Sequence, residues 1–133
     1  MSSSLHLSVV VARPAGDVYA YAADPAHLPA WAAGLASGVE PRGDGSWVAQ
    51  SPMGEVVVTF VPPNDLGVLD HVVTLPDGTS VLNPLRVLPH DDGAEVVFTL
   101  RPAPGSTPEA FAADAALVRA DLRRLKEVLE QGA

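Results

Sequence analysis

STPEAFAADAALVRADLRRLKEVLE, residues 106–130, decides the fold. Its apolar positions Phe111, Ala115, Val118, Leu122, Leu125 and Leu129 step alternately by four and three, which places them on one stripe of an α-helix. Ser106 and Glu109 stand at capping-box spacing, and Thr107 directly before Pro108 makes an equally good start. Glu109 and Asp114 come early while Arg119, Arg123, Arg124 and Lys126 come late, the order that suits the helix dipole. About 24 residues rising 1.5 Å each make a rod of roughly 36 Å. A long helix with one apolar stripe has to be covered, and the covering layer must come from the chain upstream.

That chain reads as strands. Between about residue 36 and residue 100, short apolar segments alternate with the turn signals PRGDG, SPMG, VPPNDLG, LPDGTS and LPHDDG, a spacing that fits six antiparallel strands. Nearer the start, Leu5, Leu7, Val9 and Val11 alternate with His6, Ser8 and Val10, the pattern of a half-buried strand. Pro14 suits the first turn of a helix whose inner face is Val18, Tyr21 and Ala22. Asp24 before Pro25 repeats that start for a short second helix, ended by Gly34 and kinked or split by Pro29. No internal repeat or linker interrupts the chain, so residues 1–133 are expected to form a single α+β domain. Its order is strand, two short helices, six strands, long helix, and the economical arrangement is a curved seven-stranded antiparallel sheet wrapped around that helix.

Composition removes several function classes. Sixteen acidic residues against eight basic ones give a formal charge of −8, with no basic cluster beyond Arg123, Arg124 and Lys126, so nucleic acid is not an expected partner. The absence of cysteine excludes disulfides, thiolate metal sites and a cysteine nucleophile. No run of about 18 apolar residues is present to span a membrane, and the opening MSSSLHLSVVV lacks the basic residues of a signal peptide. The expected location is the cytoplasm. His6, His27, His71 and His90 have no metal-ligand spacing, and neither a phosphate-binding glycine loop nor the G-x-S-x-G pattern of a serine hydrolase occurs. No metal or cofactor is therefore expected, and a homodimer is compatible with the sequence.

Two polar residues stand out in LDHVVTLPDGTSVLNPLRV, residues 69–87. Leu69, His71 and Val73 share one strand face while Asp70 and Thr74 share the wetter one, so His71 points inward. By the same alternation Val81, Asn83, Leu85 and Val87 point inward and Arg86 outward, where an ion pair with an acid is expected. A hairpin about Pro76-Asp77-Gly78 brings His71 and Asn83 opposite each other, to within a register step. Two polar groups in an apolar wall either satisfy each other, bond to backbone or water, or meet a ligand. Asp70 cannot orient His71, because adjacent strand residues face opposite ways.

The order of elements, with VVVARPAGDVYAYAADPAHLPAWAAGL and DAALVRADLRRLKEVLE, resembles the SRPBCC superfamily of START-like helix-grip proteins. Within it the chain is most similar to small bacterial proteins of the polyketide cyclase/dehydrase type. The shared pattern is a first strand, a proline-started helix with an aromatic at Tyr19, Asp24-Pro25, and Trp31. The resemblance implies a helix-grip fold with a deep apolar cavity between the sheet and the C-terminal helix. Trp31, Trp47, Met53, Phe60 and Phe98 are candidates to line it, with His71 and Asn83 as polar anchors for a hydrophobic small molecule that is aromatic, lipid-like or polyketide-like. Plain core packing is the competing role for the five apolar residues. One alternative is a cyclase or dehydratase in which His71 is the catalytic acid or base, and another is a protein-interaction module.

Overall fold

The C-terminal helix, α3, spans Pro108–Glu130 and starts where proline allows it. Thr107 is the cap residue, its hydroxyl accepting from the Ala110 amide at 3.1 Å, so the threonine start prevails over Ser106. Ala115, Leu122, Leu125 and Leu129 are buried and Phe111 and Val118 half-buried, which is the stripe read from the sequence. Burying each such leucine is worth about 1.5 to 3 kcal/mol.

The computed structural model describes residues 3–32, 37–52 and 54–132. Before α3 come β1 (Leu5–Val11), α1 (Ala15–Ala22), a 3-10 turn (Pro25–His27) and α2 (Leu28–Trp31). Then follow β2 (Gly38–Pro41), β3 (Trp47–Ser51), β4 (Gly54–Phe60), β5 (His71–Thr74), β6 (Ser80–Asn83), β7 (Leu85–His90) and β8 (Gly93–Leu100). The second helix is split before Pro29: Asp24 caps the 3-10 turn through the Ala26 amide at 3.0 Å, and a four-residue α-helix continues from it. Gly34, its expected end, lies outside the described residues.

The strands pair antiparallel throughout, but they form two sheets, β2-β3-β4-β5-β6 and β1-β8-β7, rather than the expected single seven-stranded one. The eighth strand arises at Pro84, where the expected continuous strand from Val81 to Val87 divides into β6 and β7. Proline has no N–H to give to a ladder, and here the chain changes partner from β5 to β8. The sheets stay stitched at this seam: the Leu69 amide donates to the Leu85 carbonyl and the Val87 amide to the Gly67 carbonyl, both at 2.8 Å. Gly67 has φ +72, and a Cβ there would meet the Val87 carbonyl oxygen at 2.1 Å, so only glycine fits.

Helix α3 lies along β1 and against α2. Leu7 and Val11 from β1, Leu28 and Trp31 from α2, Leu122, Leu125 and Leu129 from α3, and Val56, Val58, Val73, Leu85 and Val96 from the sheets belong to one buried cluster. The edge of β1 is tied to the helix by polar contacts as well. Lys126 Nζ donates to the Val10 carbonyl at 2.9 Å, the Ala12 amide to Glu130 at 2.8 Å, and Arg13 to the Leu129 carbonyl at 2.7 Å.

Candidate functional site

The hairpin places His71 directly opposite Asn83. The ladder continues across β4, where Phe60 is the partner of His71, and Phe98 on β8 faces Leu85. His71 is 5% exposed. Its ring stacks on Phe60 with centroids 4.7 Å apart and meets Phe98 edge-on at 6.5 Å. Phe60, His71, Asn83 and Phe98 are thus brought together; the hairpin register read from the sequence places His71 opposite Asn83, while Phe60 and Phe98 are candidates there for the same cavity with no contact to His71 implied.

Hydrogen bonding fixes the form of the imidazole. Nδ1 lies 3.0 Å from the Leu69 carbonyl oxygen, which can only accept, so Nδ1 carries the proton and Nε2 a lone pair. The Asn83 side-chain amide nitrogen stands 3.5 Å from Nε2, longer than a full-strength bond. Nε2 is therefore a buried acceptor with one long donor contact. Burial pushes the ring pKa below the ordinary histidine value, outweighing the Leu69 contact and the nearby Asp70 charge. The imidazole is neutral at pH 7, which suits it to accept a hydrogen bond or a proton.

Asp70 faces the other way, as alternation requires. It accepts from Arg86 Nε and Nη2 at 2.9 and 2.8 Å and from the Leu85 amide at 2.9 Å. This paired contact with Arg86, the ion pair expected from the sequence, holds its carboxyl below the usual range. The clamp fixes the segment on which Asn83 and Leu85 change sheets.

The remaining candidates are spread around this centre. Trp47 faces Val58, on the same inner face as Phe60, and is half-buried. Trp31 is 5% exposed at the end of α2, and its indole Nε1 is buried without a hydrogen-bond partner among the described residues. Met53 lies outside the described residues. Val81, expected inward, sits opposite Val73 by register yet is 45% exposed, because β6 is the last strand of its sheet. Burial along this wall therefore falls from Val73 and His71, through half-buried Asn83, to open Val81.

Alternation in the sequence did not reveal a cleft of about 740 Å³ against α1. Ala15, Tyr19 and Ala23 line it on one side, the Pro63–Gly67 loop and Val87 on the other, and no α3 residue contributes. Asn64 organises that loop: its side chain accepts from the Leu66 and Val68 amides, and its own amide donates to Tyr19 Oη at 3.0 Å. The asparagine in VPPNDLG was the available signal, since asparagine closes such turns. Among the described residues no group of three or more His, Asp or Glu is placed to hold a metal ion, and no helix is long and apolar enough to cross a membrane.

Comparison with known proteins agrees with this architecture. A family model described as "Polyketide cyclase / dehydrase and lipid transport" matches residues 3–130. None of the curated proteins matches the chain. Among solved structures, protein MLL2253 from Mesorhizobium loti is similar with a TM-score of 0.73 at 10% identity, covering 98% of this chain and 99% of that one. DR_A0006 from Deinococcus radiodurans gives 0.66 at 22% identity, covering 98% and 99%. SA2116 from Staphylococcus aureus gives 0.70 at 14% identity, covering 98% and 95%. With an α3 helix packed on antiparallel sheets and a family match over nearly its whole length, the chain belongs to the polyketide cyclase/dehydrase and lipid transport family of SRPBCC-type helix-grip proteins.

Proposed function

We propose that this protein binds a hydrophobic small molecule, aromatic or polyketide-like, on the inner face of the sheets, with His71 Nε2 and Asn83 as its polar anchors. The observation that carries this reading is the buried lone pair of His71, held between Phe60 and Phe98 with one 3.5 Å donor contact. A ligand hydroxyl that donates to Nε2 would supply the missing bond, while the phenyl rings would cover an aromatic body. The unpartnered Trp31 indole is a second polar group that an acceptor on such a ligand would satisfy. The family description, which names cyclase, dehydrase and lipid transport, supports hydrophobic ligands as a class. Entry is from the β6 side, where the inner wall is open at Val81. Trp47 and Met53 belong to the proposed lining, and a cytoplasmic location is part of the same reading.

The test is a nuclear magnetic resonance titration of the His71 ring with 2-naphthol and, in parallel, naphthalene. The hydroxylated probe is expected to move the His71 ring signals and to bind about tenfold more tightly, the worth of one hydrogen bond, with the preference lost in His71→Phe. A ring unmoved by every aromatic alcohol tried would remove the proposal. A second, enzymatic reading rests on the same neutral imidazole: His71 accepts a proton from a bound polyketide-like substrate in a cyclase or dehydratase step. Turnover unchanged in His71→Gln would exclude it.

A further inference from the structure

The unpaired edge of β1 is only partly occupied. Val10 and Ala12 give their edge-facing backbone groups to Lys126 and Glu130 of α3. Backbone groups on one edge of an antiparallel strand recur at every second residue, so Ser8 presents its own to the same side. Among the described residues no α3 side chain is hydrogen-bonded to Ser8. Beside it opens a groove of about 430 Å³, with half-buried Val9 as its apolar floor above the buried Leu7 and Leu122, and Arg119, Arg123 and Lys126 along its rim.

The charge here is opposite to that of the molecule. Three of the eight cationic residues of a chain of net charge −8 line one groove that no acidic side chain lines. Arg13, Arg86, Arg124 and Lys126 are each paired with a carboxylate. Arg119 and Arg123 have neither an ion pair nor a hydrogen bond among the described residues, and both are exposed. Four residues apart on a helix, they are neighbours on one face, about 5 to 6 Å apart at their Cβ atoms, so two guanidinium groups can converge on one headgroup. Arginine is the side chain whose planar fork matches the oxygens of a carboxylate or phosphate.

We propose that this groove binds a small amphiphilic oxyanion, a carboxylate or phosphate headgroup on a short aliphatic tail. Arg119 and Arg123 hold the headgroup beside the free edge of Ser8, and the tail lies on Val9 over the buried Leu7 and Leu122. The site is separate from the inner-face site around His71 and does not depend on it.

The test is an amide-resonance titration of the whole chain with octanoate and octyl phosphate, compared with acetate, inorganic phosphate and 1-octanol. Either tailed anion is expected to shift Ser8, Leu122 and Arg123 saturably, and the tighter of the two identifies the headgroup. The tailless anions and the uncharged alcohol should each require about tenfold more probe, because each lacks one of the two contacts. Arg119→Gln/Arg123→Gln should weaken the tailed anions by about tenfold or more. Lys126 is kept because it holds Val10. If the double variant loses its folded spectrum, raising the salt on the unmodified chain replaces it: octanoate binding should weaken while that of octanol stays constant. Equal binding by the double variant, salt-independent octanoate binding, or shifts centred on His71 and Val73 would each overturn the proposal. So would equal affinity for acetate and octanoate, which is unspecific ion pairing, or cosedimentation with phosphatidylglycerol vesicles without octanoate binding, which is a membrane surface.

Discussion

His71 links stability to pH in a direction set by its burial. Its folded-state pKa lies below the ordinary value, so near pH 6.5 the unfolded chain takes up a proton that the folded ring refuses. The unfolded state then binds more protons, and stability falls as pH drops below about 6.5, by about 1.4 kcal/mol per pH unit while the folded ring stays neutral. Urea unfolding of the wild type and His71→Leu at pH 7.5, 6.0 and 5.0 should show the leucine variant gaining on the wild type with each step. A constant difference would mean that the ring protonates in place. Asp70 has the opposite sign. Its lowered pKa contributes stability that is present above the usual aspartate value and is lost as pH falls through the folded one. Because Arg86 is half exposed, Asp70→Asn is expected to cost only about 1 kcal/mol in urea, less at high salt. The inward His71, the outward Asp70 and the Arg86 ion pair were legible from alternation, since strand faces need no knowledge of the third dimension. The exposure of Val81 and the unpartnered Trp31 indole were not, because both depend on what the rest of the chain leaves uncovered.

The turns carry much of the specification at the scale of elements. Gly93 joins β7 to β8 with φ +136, and a Cβ there would stand 2.3 Å from the Val11 carbonyl oxygen and 2.8 Å from the Arg13 backbone. Gly93→Ala should therefore cost about 3 kcal/mol or more, combining strain with a clash that backbone cannot relieve. Gly105, also at positive φ but with nothing within 4 Å of its Cβ, should cost only about 1 to 2 kcal/mol as Gly105→Ala. Denaturant midpoints of the two variants measure the difference directly. Turn chemistry of this kind is local, which is why the hairpin positions and the helix starts could be read from the chain. Pro84 was the signal passed over: alternation runs unbroken from Val81 to Val87, and only the missing N–H marks the change of partner. The consequence of that break is that β6 ends its sheet while β7 joins another.

Across the whole molecule the two sheets differ in how well their ends are protected. In the three-stranded sheet β8 lies between β1 and β7, and β1 is flanked by α3, whereas β6 closes the five-stranded sheet with Val81 and Leu82 more than 40% exposed. Hydrogen exchange should follow this order, with the β8 amides exchanging only on global unfolding and the β6 amides through local opening at lower free energy. Equal protection of the two would show that the inner wall is shut at β6. Ligand bound at His71 should raise the protection of β6 most, since its entry wall is the part with most order to gain. The antiparallel layer, the covering helix and the family were legible because they depend on the order of elements along the chain. Where the layer divides depends on one peptide unit, the groove depends on side chains from opposite ends of the sequence, and the cleft on α1 meeting a loop more than 40 residues later.

The pairing of β1 with β8 also dictates when this protein can exist during its own synthesis. Val11 waits for Ala94, 83 residues later, and Leu5 waits for Leu100, 95 residues later. At about 5 to 20 residues per second the ribosome leaves the first strand without its neighbour for on the order of 4 to 20 s. The anchoring side chains Lys126 and Glu130 arrive later still. The nascent chain thus carries an unpaired apolar strand until β8 and then α3 have been made, and β1 must fold after these later elements are synthesised rather than along with its own N-terminal part.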